Sequence, residues 1–279
     1  MVDLDEYRQA SRAGWAAVAP GWKRRGDWLR ENNALVNDWI LAKGDPQPGQ
    51  TWLDVAGGPG DLSLALSERV GAGGHVIYSD FASEMVEVAR ERGEDRGNLE
   101  FRVLDAERMD LGDDSVDGVG CRYGFMLMAD PAAALAQTRR VLRDGGALAF
   151  AVWTSPDRNP WAALPMMAAV QRGHVPPPDP SGPGMFALGE PERIRELVTG
   201  AGFADPEIEE IVFAYSYIDG DDVWDALLSL SGRMAQALQE LPDDERAAMR
   251  EAILESVAGF RADDGTYTIP ASTWGVVTR

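Results

Sequence analysis

The sequence predicts an α/β fold, a mostly parallel sheet with helices on both faces. Short apolar runs alternate with helical patterns between residues 51 and 153. The first run, Trp52, Leu53 and Val55, opens into a glycine-rich turn, Ala56-Gly57-Gly58-Pro59-Gly60, and then a helical series with Leu62, Leu66 and Val70. Two later runs end in carboxylates, at Asp80 and Asp105. Strands that alternate with helices form parallel sheets because each helix carries the chain back across a sheet face.

Before the first strand, residues 3–43 read as helices. One apolar face holds Tyr7, Trp15, Val18 and Trp22, and a second series holds Trp28, Leu29, Leu35, Val36, Trp39 and Ile40. Lys23-Arg24-Arg25 between them reads as a solvated turn. Asp45-Pro46-Gln47-Pro48-Gly49 stops the helical pattern. Residues 1–45 are therefore expected to form a helical cap over the core.

The turn at 56–60 joins a buried strand to a helix. Glycines there tolerate positive φ and let a ligand approach the backbone. The free N–H groups that open the helix can face that ligand. Asp54 stands inside the apolar run, and a buried carboxylate is costly unless backbone donors or a cation pair with it. The spacing is neither G-x-G-x-x-G nor the phosphate loop G-x-x-x-x-G-K-[ST], since no Lys follows the glycines.

His75 to Asp80 reads as the second strand, followed by Phe81 and a helix with Met85, Val86 and Ala89. Asp80 lies 20 residues after Gly60, near the spacing at which nucleotide folds place an acid for the ribose hydroxyls. Leu99 to Leu104 alternates as a third strand and ends at Asp105-Ala106. A fourth runs through Val116 to Cys121, and Asp130-Pro131 opens the next helix as N-cap and first residue. Asp144-Gly145-Gly146 is expected to end that helix, with Ala147 to Trp153 as a buried fifth strand.

Ser155 to Gly189 is rich in Pro and Gly and long for a connection, which suggests a binding loop with a short helix at Trp161–Arg172. Glu190 begins another helix, Ile211, Phe213, Tyr215 and Tyr217 alternate as a long strand, and Thr266 to Val277 closes the chain as a strand. Residues 221–260 read as two helices joined at Pro242-Asp243-Asp244. The expected division is a cap at 1–45, a core at 46–220 containing the 155–189 loop, a helical insertion at 221–260 and the core's closing strand at 261–279.

Composition excludes several classes of function. Lys and Arg number 26 against 46 Asp and Glu, a net charge of −20, which opposes nucleic acid and anionic membranes. Residues 205–264 alone hold 16 acids and 4 Arg; solubility is the plain reason, and attraction of a cationic substrate the sharper one. No apolar run approaches the roughly 20 residues of a membrane helix. The start, MVDLDEYRQA, is unlike a signal peptide, and the single cysteine, Cys121, has no partner in the chain, so a cytoplasmic location is expected. No zinc or calcium pattern is present, and a metal is not expected.

Asp54-x-Ala56-x-Gly58-x-Gly60 resembles the first motif, D-x-G-x-G-x-G, of class I S-adenosylmethionine (SAM) methyltransferases, with Ala56 in place of the first glycine. The resemblance widens with YSD at 78–80, LDAERMDLGDDSVDGV at 104–119 and RRVLRDGGALAFAVW at 139–153, which together look like the ubiquinone/menaquinone-biosynthesis C-methyltransferase type. Asp144 stands where that family usually has proline. The resemblance implies a Rossmann-like, doubly wound, seven-stranded sheet whose last strand is antiparallel. Residues 221–260 would then interrupt the final hairpin and join the N-terminal helices as a roof over the methyl acceptor; a scaffold or homodimer contact is their other use.

By the same resemblance, Asp54 and the backbone of Ala56, Gly58 and Gly60 hold the methionine end of SAM. Asp80 takes the ribose hydroxyls, Phe81 and Met85 pack on the adenine, and Asp105 with the backbone of Ala106 meets its amino group. Arg122 and Tyr123 border the methionine end and the acceptor pocket. Ordinary core packing is the plainer reading of Phe81 and Met85, and a structural ion pair that of Arg122.

Methyl transfer from a sulfonium is an in-line displacement that depends on alignment, and an acceptor with a removable proton also needs a base. His75 opens a strand at the far end from the cofactor crevice and reads as structural, which leaves His174, Tyr123, Tyr7 and Tyr217 as candidates for catalytic residues. Trp15, Trp22, Trp153 and Trp161 suit a planar, apolar or cationic acceptor, or simply a core. Two functions fit the residues: a SAM-dependent methyltransferase acting on a small, largely apolar or aromatic metabolite, or a protein of that fold that binds SAM or its product and catalyses a non-methylating reaction or serves as a binding partner.

Overall fold

A computed structural model describes residues 4–179 and 182–279. Residues 180 and 181 of the expected 155–189 loop, and residues 1–3 at the start of the expected cap, lie outside the described residues. The chain begins with three helices, α1 (Leu4–Arg24), α2 (Gly26–Asn32) and α3 (Ala34–Gly44). An alternating stretch follows: β1 (Thr51–Val55), α4 (Asp61–Val70), β2 (His75–Asp80), α5 (Ser83–Gly93), β3 (Leu99–Val103), β4 (Val116–Arg122), α6 (Pro131–Val141) and β5 (Leu142–Trp153). Then come α7 (Pro160–Gln171), α8 (Pro191–Gly200), β6 (Glu207–Tyr217), α9 (Gly220–Leu230), α10 (Arg233–Gln239), α11 (Asp243–Ser256) and β7 (Tyr267–Thr278).

The seven strands form one sheet in the order β3-β2-β1-β4-β5-β7-β6. Pairings from β3 to β5 are parallel, and β7 runs antiparallel to both of its neighbours. The strand order reverses between β1 and β4, and in open α/β sheets such a switch point opens a crevice beyond the carboxyl ends of the strands. Since β7 opposes both β5 and β6, the carboxyl ends of β1 to β6 share that edge.

Successive residues of β1 face opposite layers. Trp52 packs with Val36, Ile40, Leu62 and Leu66 of α3 and α4, while Leu53 and Val55 join Leu135 of α6 and Ile194 of α8 on the other face. Asp130 caps α6 as expected, its carboxylate accepting from the N–H of Ala133 at 3.0 Å.

Three expectations are corrected. The 221–260 segment is three helices, not two, because α9 breaks at Ser231-Gly232, where Gly232 takes φ +54°. The fifth strand starts at Leu142 rather than Ala147: Leu142 pairs with Val116 and a register shift absorbs the glycines, so Asp144-Gly145-Gly146 lies within the strand. Arg25 is buried, not solvated; its guanidinium pairs with Asp225 at 2.9 Å and with Asp222. That pairing ties the start of α2 to α9. Gly21 and Trp22 of α1 extend the seam, the Trp22 indole N–H donating to the Leu230 carbonyl at 3.2 Å. Helices α1 and α2 and the insertion therefore form one continuous layer beside the carboxyl edge of the sheet, whereas α3 packs on the sheet face through Val36 and Ile40.

Candidate functional site

The glycine turn is built by the two strands beneath it. The Gly57 N–H donates to the Ser79 carbonyl at 2.9 Å, and the Tyr78 hydroxyl donates to the Gly58 carbonyl at 2.7 Å. Gly57 has no room for a side chain, since a β-carbon would lie 2.6 Å from the Tyr78 ring and 2.9 Å from Asp54 Oδ2. Ala56 adopts φ +53°, so the alanine where the resembled motif has glycine still holds the left-handed backbone of the turn.

Asp54 is fully buried. The Ser63 hydroxyl donates to its Oδ2 at 2.6 Å, and Oδ1 has no hydrogen-bond partner. Burial, against the pull of Ser63 and Arg122, pushes its pKa up to about 7. A buried carboxylate oxygen without a donor is costly, and a ligand cation would remove that cost.

Asp80 ends β2 beside the same turn. Its Oδ2 accepts from the Gly58 N–H at 3.1 Å and its Oδ1 from the Ala82 N–H at 3.0 Å. Burial raises its pKa to about 6 despite these donors. Each oxygen keeps a lone pair that could accept from a diol.

Arg122, at the end of β4, is 8% exposed in its side chain. Its Nη2 lies 3.2 Å from Asp61 Oδ2 and its Nη1 donates to Asn37 Oδ1 at 3.1 Å. Asp61, the first residue of α4, is pinned from the other side by Arg92 of α5 at 2.7 Å, and Arg92 also donates to the Pro59 carbonyl. Neither Asp61 nor Arg92 stood out in the sequence. Asp61 follows Gly60 directly, but an ion pair between α4 and α5 leaves no local pattern.

Helix α1 lies over this edge. A β-carbon on Gly58 would be 3.5 Å from the Trp22 ring. Phe81 and Met85 pack with Val18, Trp15 and Trp22, and the Arg12 guanidinium stands 5.5 Å from the centre of the Phe81 ring. Tyr7 donates to the Leu127 carbonyl at 2.9 Å, and Arg8 Nε donates to Glu107 Oε2 at 2.9 Å. Asp105 accepts from the Glu107 N–H at 2.9 Å, and Ala106 beside it is buried. The structure thus gathers Asp54, Ala56, Gly58, Gly60, Asp80, Phe81, Met85, Asp105, Ala106 and Arg122 along one edge of the sheet, beneath or beside α1.

The candidates for catalytic residues are spread apart. Tyr123 takes φ +64°, stacks on Trp153 with ring centres 4.0 Å apart and is half-buried, with its hydroxyl oxygen buried near Thr273, whose own hydroxyl donates to the Val152 carbonyl. Burial drives the Tyr123 phenol well above its usual pKa, which disfavours a role as base. His174 closes α7, its N–H donating to the Ala169 carbonyl, beside the cluster that α7 forms with α10 and α11. Tyr7 serves α1 as described, and Tyr217 packs under Trp28. His75 pairs with Glu100 at 3.0 Å at the amino end of β2. Among the described residues no group of His, Cys, Asp and Glu could hold a metal ion, and no helix is long and apolar enough to cross a membrane.

Comparison with known proteins decides the family. Residues 33–163 match the ubiE/COQ5 methyltransferase family. A demethylmenaquinone methyltransferase of Deinococcus radiodurans is 32% identical over 216 residues, covering 72% of this chain and 88% of that protein. The chain belongs to the ubiE/COQ5 methyltransferase family. A ubiquinone/menaquinone biosynthesis C-methyltransferase of Paraburkholderia phymatum is 39% identical over 151 residues, 52% of this chain, and the chain spans about three fifths of that relative's length (61%). In three dimensions the chain resembles a candidate methyltransferase solved with the Trm112 methyltransferase activator of Haloferax volcanii: TM-score 0.59 and 24% identity over 96% of each chain. That likeness concerns the fold alone. Residues 33–163 of the ubiE/COQ5 match contain the carboxyl ends of β1 to β5; β6, α1, with Trp22 over the turn, and the α9–α11 layer lie outside it.

Proposed function

We propose that this chain is a SAM-dependent methyltransferase acting on a small, largely apolar or aromatic metabolite. The observation that carries the reading is Asp54: a fully buried carboxylate under the glycine turn, with one oxygen unpartnered. A cationic ligand end answers that geometry, and the methionine end of SAM carries an ammonium.

Asp54 would hold that ammonium, and the left-handed turn at Ala56 and Gly58 leaves backbone groups free to approach the ligand. Asp80 would accept from the ribose hydroxyls. Phe81 and Met85 would flank the adenine, with Asp105 and Ala106 at its amino edge, and Arg122 would border the methionine end. Helix α1 would close over the bound molecule and keep water from the reacting centre. Bound SAM supplies an activated methyl; the protein's share is to align the acceptor's nucleophile with it, an effect that reaches roughly 7–11 kcal/mol in well-oriented intramolecular systems.

For the acceptor, the relatives are named as a ubiquinone/menaquinone biosynthesis C-methyltransferase and a demethylmenaquinone methyltransferase, which favours a quinone-derived ring with transfer to carbon. The aromatic wall at the carboxyl ends of β4 to β6, formed by Tyr123, Trp153, Trp161 and Tyr215, suits a flat apolar ring. A cytoplasmic site of action and a homodimer contact through the α9–α11 layer belong to the same proposal. The test is incubation with methyl-labelled SAM and reduced 1,4-naphthoquinones of short side chain, with simple phenols and amines alongside. Label on a ring carbon supports the reading; labelled phenols or amines alone would replace the acceptor class, and no label in any acceptor despite tight SAM binding would favour a non-methylating role.

A further inference from the structure

The unpartnered oxygen of Asp54 is odd in one respect: an arginine stands close by. Asp54 pairs with Gly120 on the neighbouring strand, two residues before Arg122, and the positive field of Arg122 reaches it, yet the two side chains form no ion pair. Arg122 Nη2 is held by Asp61 and Nη1 by Asn37. Asp61 is itself fixed, since its second oxygen is taken by Arg92 at 2.7 Å and its side chain is wholly buried. Three helices thus meet around Arg122: α3 through Asn37, α4 through Asp61 and α5, whose Arg92 holds Asp61.

We propose that Asp61 is a positioning residue that holds Arg122 away from Asp54, so that the free Asp54 oxygen stays open for the ammonium of the cofactor. This rests on the reading of the site as a SAM site. An ion pair between Asp54 and Arg122 would be the simplest way to satisfy both groups in a dry interior. It would also fill the position that the ligand's cation needs. The Asp61 carboxylate competes for Arg122 and prevents that collapse while the crevice is empty. Arg92 keeps Asp61 from following the guanidinium and, through the Pro59 carbonyl, fixes the turn in the same stroke.

The other groups around Asp54 do not supply a substitute cation. From α4 comes the Ser63 hydroxyl; from β2 come Tyr78 and Asp80; from β4, besides Arg122, comes the Cys121 thiol, which burial and the Asp54 charge push up to about 12. Arg122 is therefore the cation whose placement decides whether Asp54 is open.

The test combines binding with a direct view of the carboxylate. S-adenosylhomocysteine is titrated calorimetrically at about pH 8, above the Asp54 pKa of about 7, into the wild type and Asp61→Asn. In parallel, the Asp54 carboxyl carbon is followed by NMR across pH. The expected result for Asp61→Asn is affinity at least about tenfold weaker, with the Asp54 titration moved down by about one unit or more as Arg122 pairs with it. If Asp61→Asn does not fold, Asn37→Ala removes the other anchor and is expected to move both readouts the same way, by about threefold in affinity. A folded variant whose Asp54 titration stays at the wild-type position overturns the proposal, whether or not affinity changes, because Arg122 released from Asp61 has then not paired with Asp54; Asn37→Ala, which removes no charge, separates that pairing from the loss of the Asp61 charge itself. A shifted titration with unchanged affinity also overturns it. Absence of S-adenosylhomocysteine binding by the wild type would instead count against the SAM site, and the titration would still decide what Asp61 does to Arg122.

Discussion

Ala56 and Gly124 meet at the floor of the crevice, and each sets what the other can be. Ala56 stands in the left-handed region at φ +53°, and a β-carbon built on Gly124 would lie 2.7 Å from the Ala56 methyl. The methyl that strains the turn thus uses the space that Gly124 leaves. Replacing Ala56 by Gly relieves the backbone penalty, at the cost of a little chain entropy and a few methyl contacts. Ala56→Gly is expected to raise stability by up to about 1 kcal/mol, whereas Gly124→Ala is expected to lower it by about 1–3 kcal/mol through overpacking. Thermal unfolding of the two variants measures both; a stabilised Gly124→Ala would contradict the contact.

Gly57 allows a sharper test of the turn. Its absent β-carbon would collide with the Tyr78 ring and with Asp54 Oδ2. Gly57→Ala is expected to destabilise the fold by about 1–3 kcal/mol and to weaken SAM binding, because either the ring or the turn must move. Calorimetry and unfolding of the same preparation check this together. A variant of unchanged affinity would mean that the turn is not in contact with the ligand.

The two buried acids predict a pH dependence of stability. Folding raises the pKa of Asp54 to about 7 and that of Asp80 to about 6, from 3.8 for the free side chain. The folded protein therefore binds more protons than the unfolded chain between these values, and stability falls as pH rises from about 4 through 7. At one unit per 1.36 kcal/mol, Asp54 alone corresponds to a loss of about 4 kcal/mol over that range. A cationic ligand favours the ionised carboxylate, so its stabilising effect is expected to be larger at about pH 8 than at pH 5. Melting temperatures across this range, with and without S-adenosylhomocysteine, should diverge as pH rises. Parallel curves would indicate that ligand binding is not linked to ionisation of these acids.

Arg25 joins the N-terminal helices to α9 through Asp222 and Asp225. Breaking a fully buried pair costs about 3–5 kcal/mol, and the half-exposed Asp225 reduces this, so Arg25→Met is expected to cost about 1–3 kcal/mol. Hydrogen exchange should show faster exchange in α9 and in the second half of α1, with β1 and β4 unaffected. Uniform loss of protection would mean that this layer and the sheet unfold as one unit.

The sheet was legible in the sequence because its strands are short apolar runs that end at turn residues, and the glycine turn and Asp80 could be placed from spacing alone. The resemblance supplied the number of strands and the direction of the last one. What the sequence hid was long-range polar contact. Arg25 belongs to a basic run, and no local pattern separates a solvated arginine from one that finds two aspartates some 200 residues later. Asp61, Arg92 and Asn37 sit on three different helices, and their meeting around Arg122 depends on how those helices pack. The break of the 221–260 segment at Ser231-Gly232 was available as a glycine signal but was outweighed by the apolar pattern on either side. The start of β5 at Leu142 was hidden because a strand with a register shift can run through glycines that would usually end an element.

The central claim is that the edge formed by Asp54, the glycine turn and Asp80 is a SAM site. The most direct measurement is calorimetric titration of SAM and S-adenosylhomocysteine into the wild type and into Asp80→Ala. The account predicts micromolar binding of both by the wild type and a loss of about 30-fold or more in the folded variant, since two hydrogen bonds to a charged acceptor disappear at about 1–3 kcal/mol each. A folded wild-type protein that binds neither molecule would contradict it.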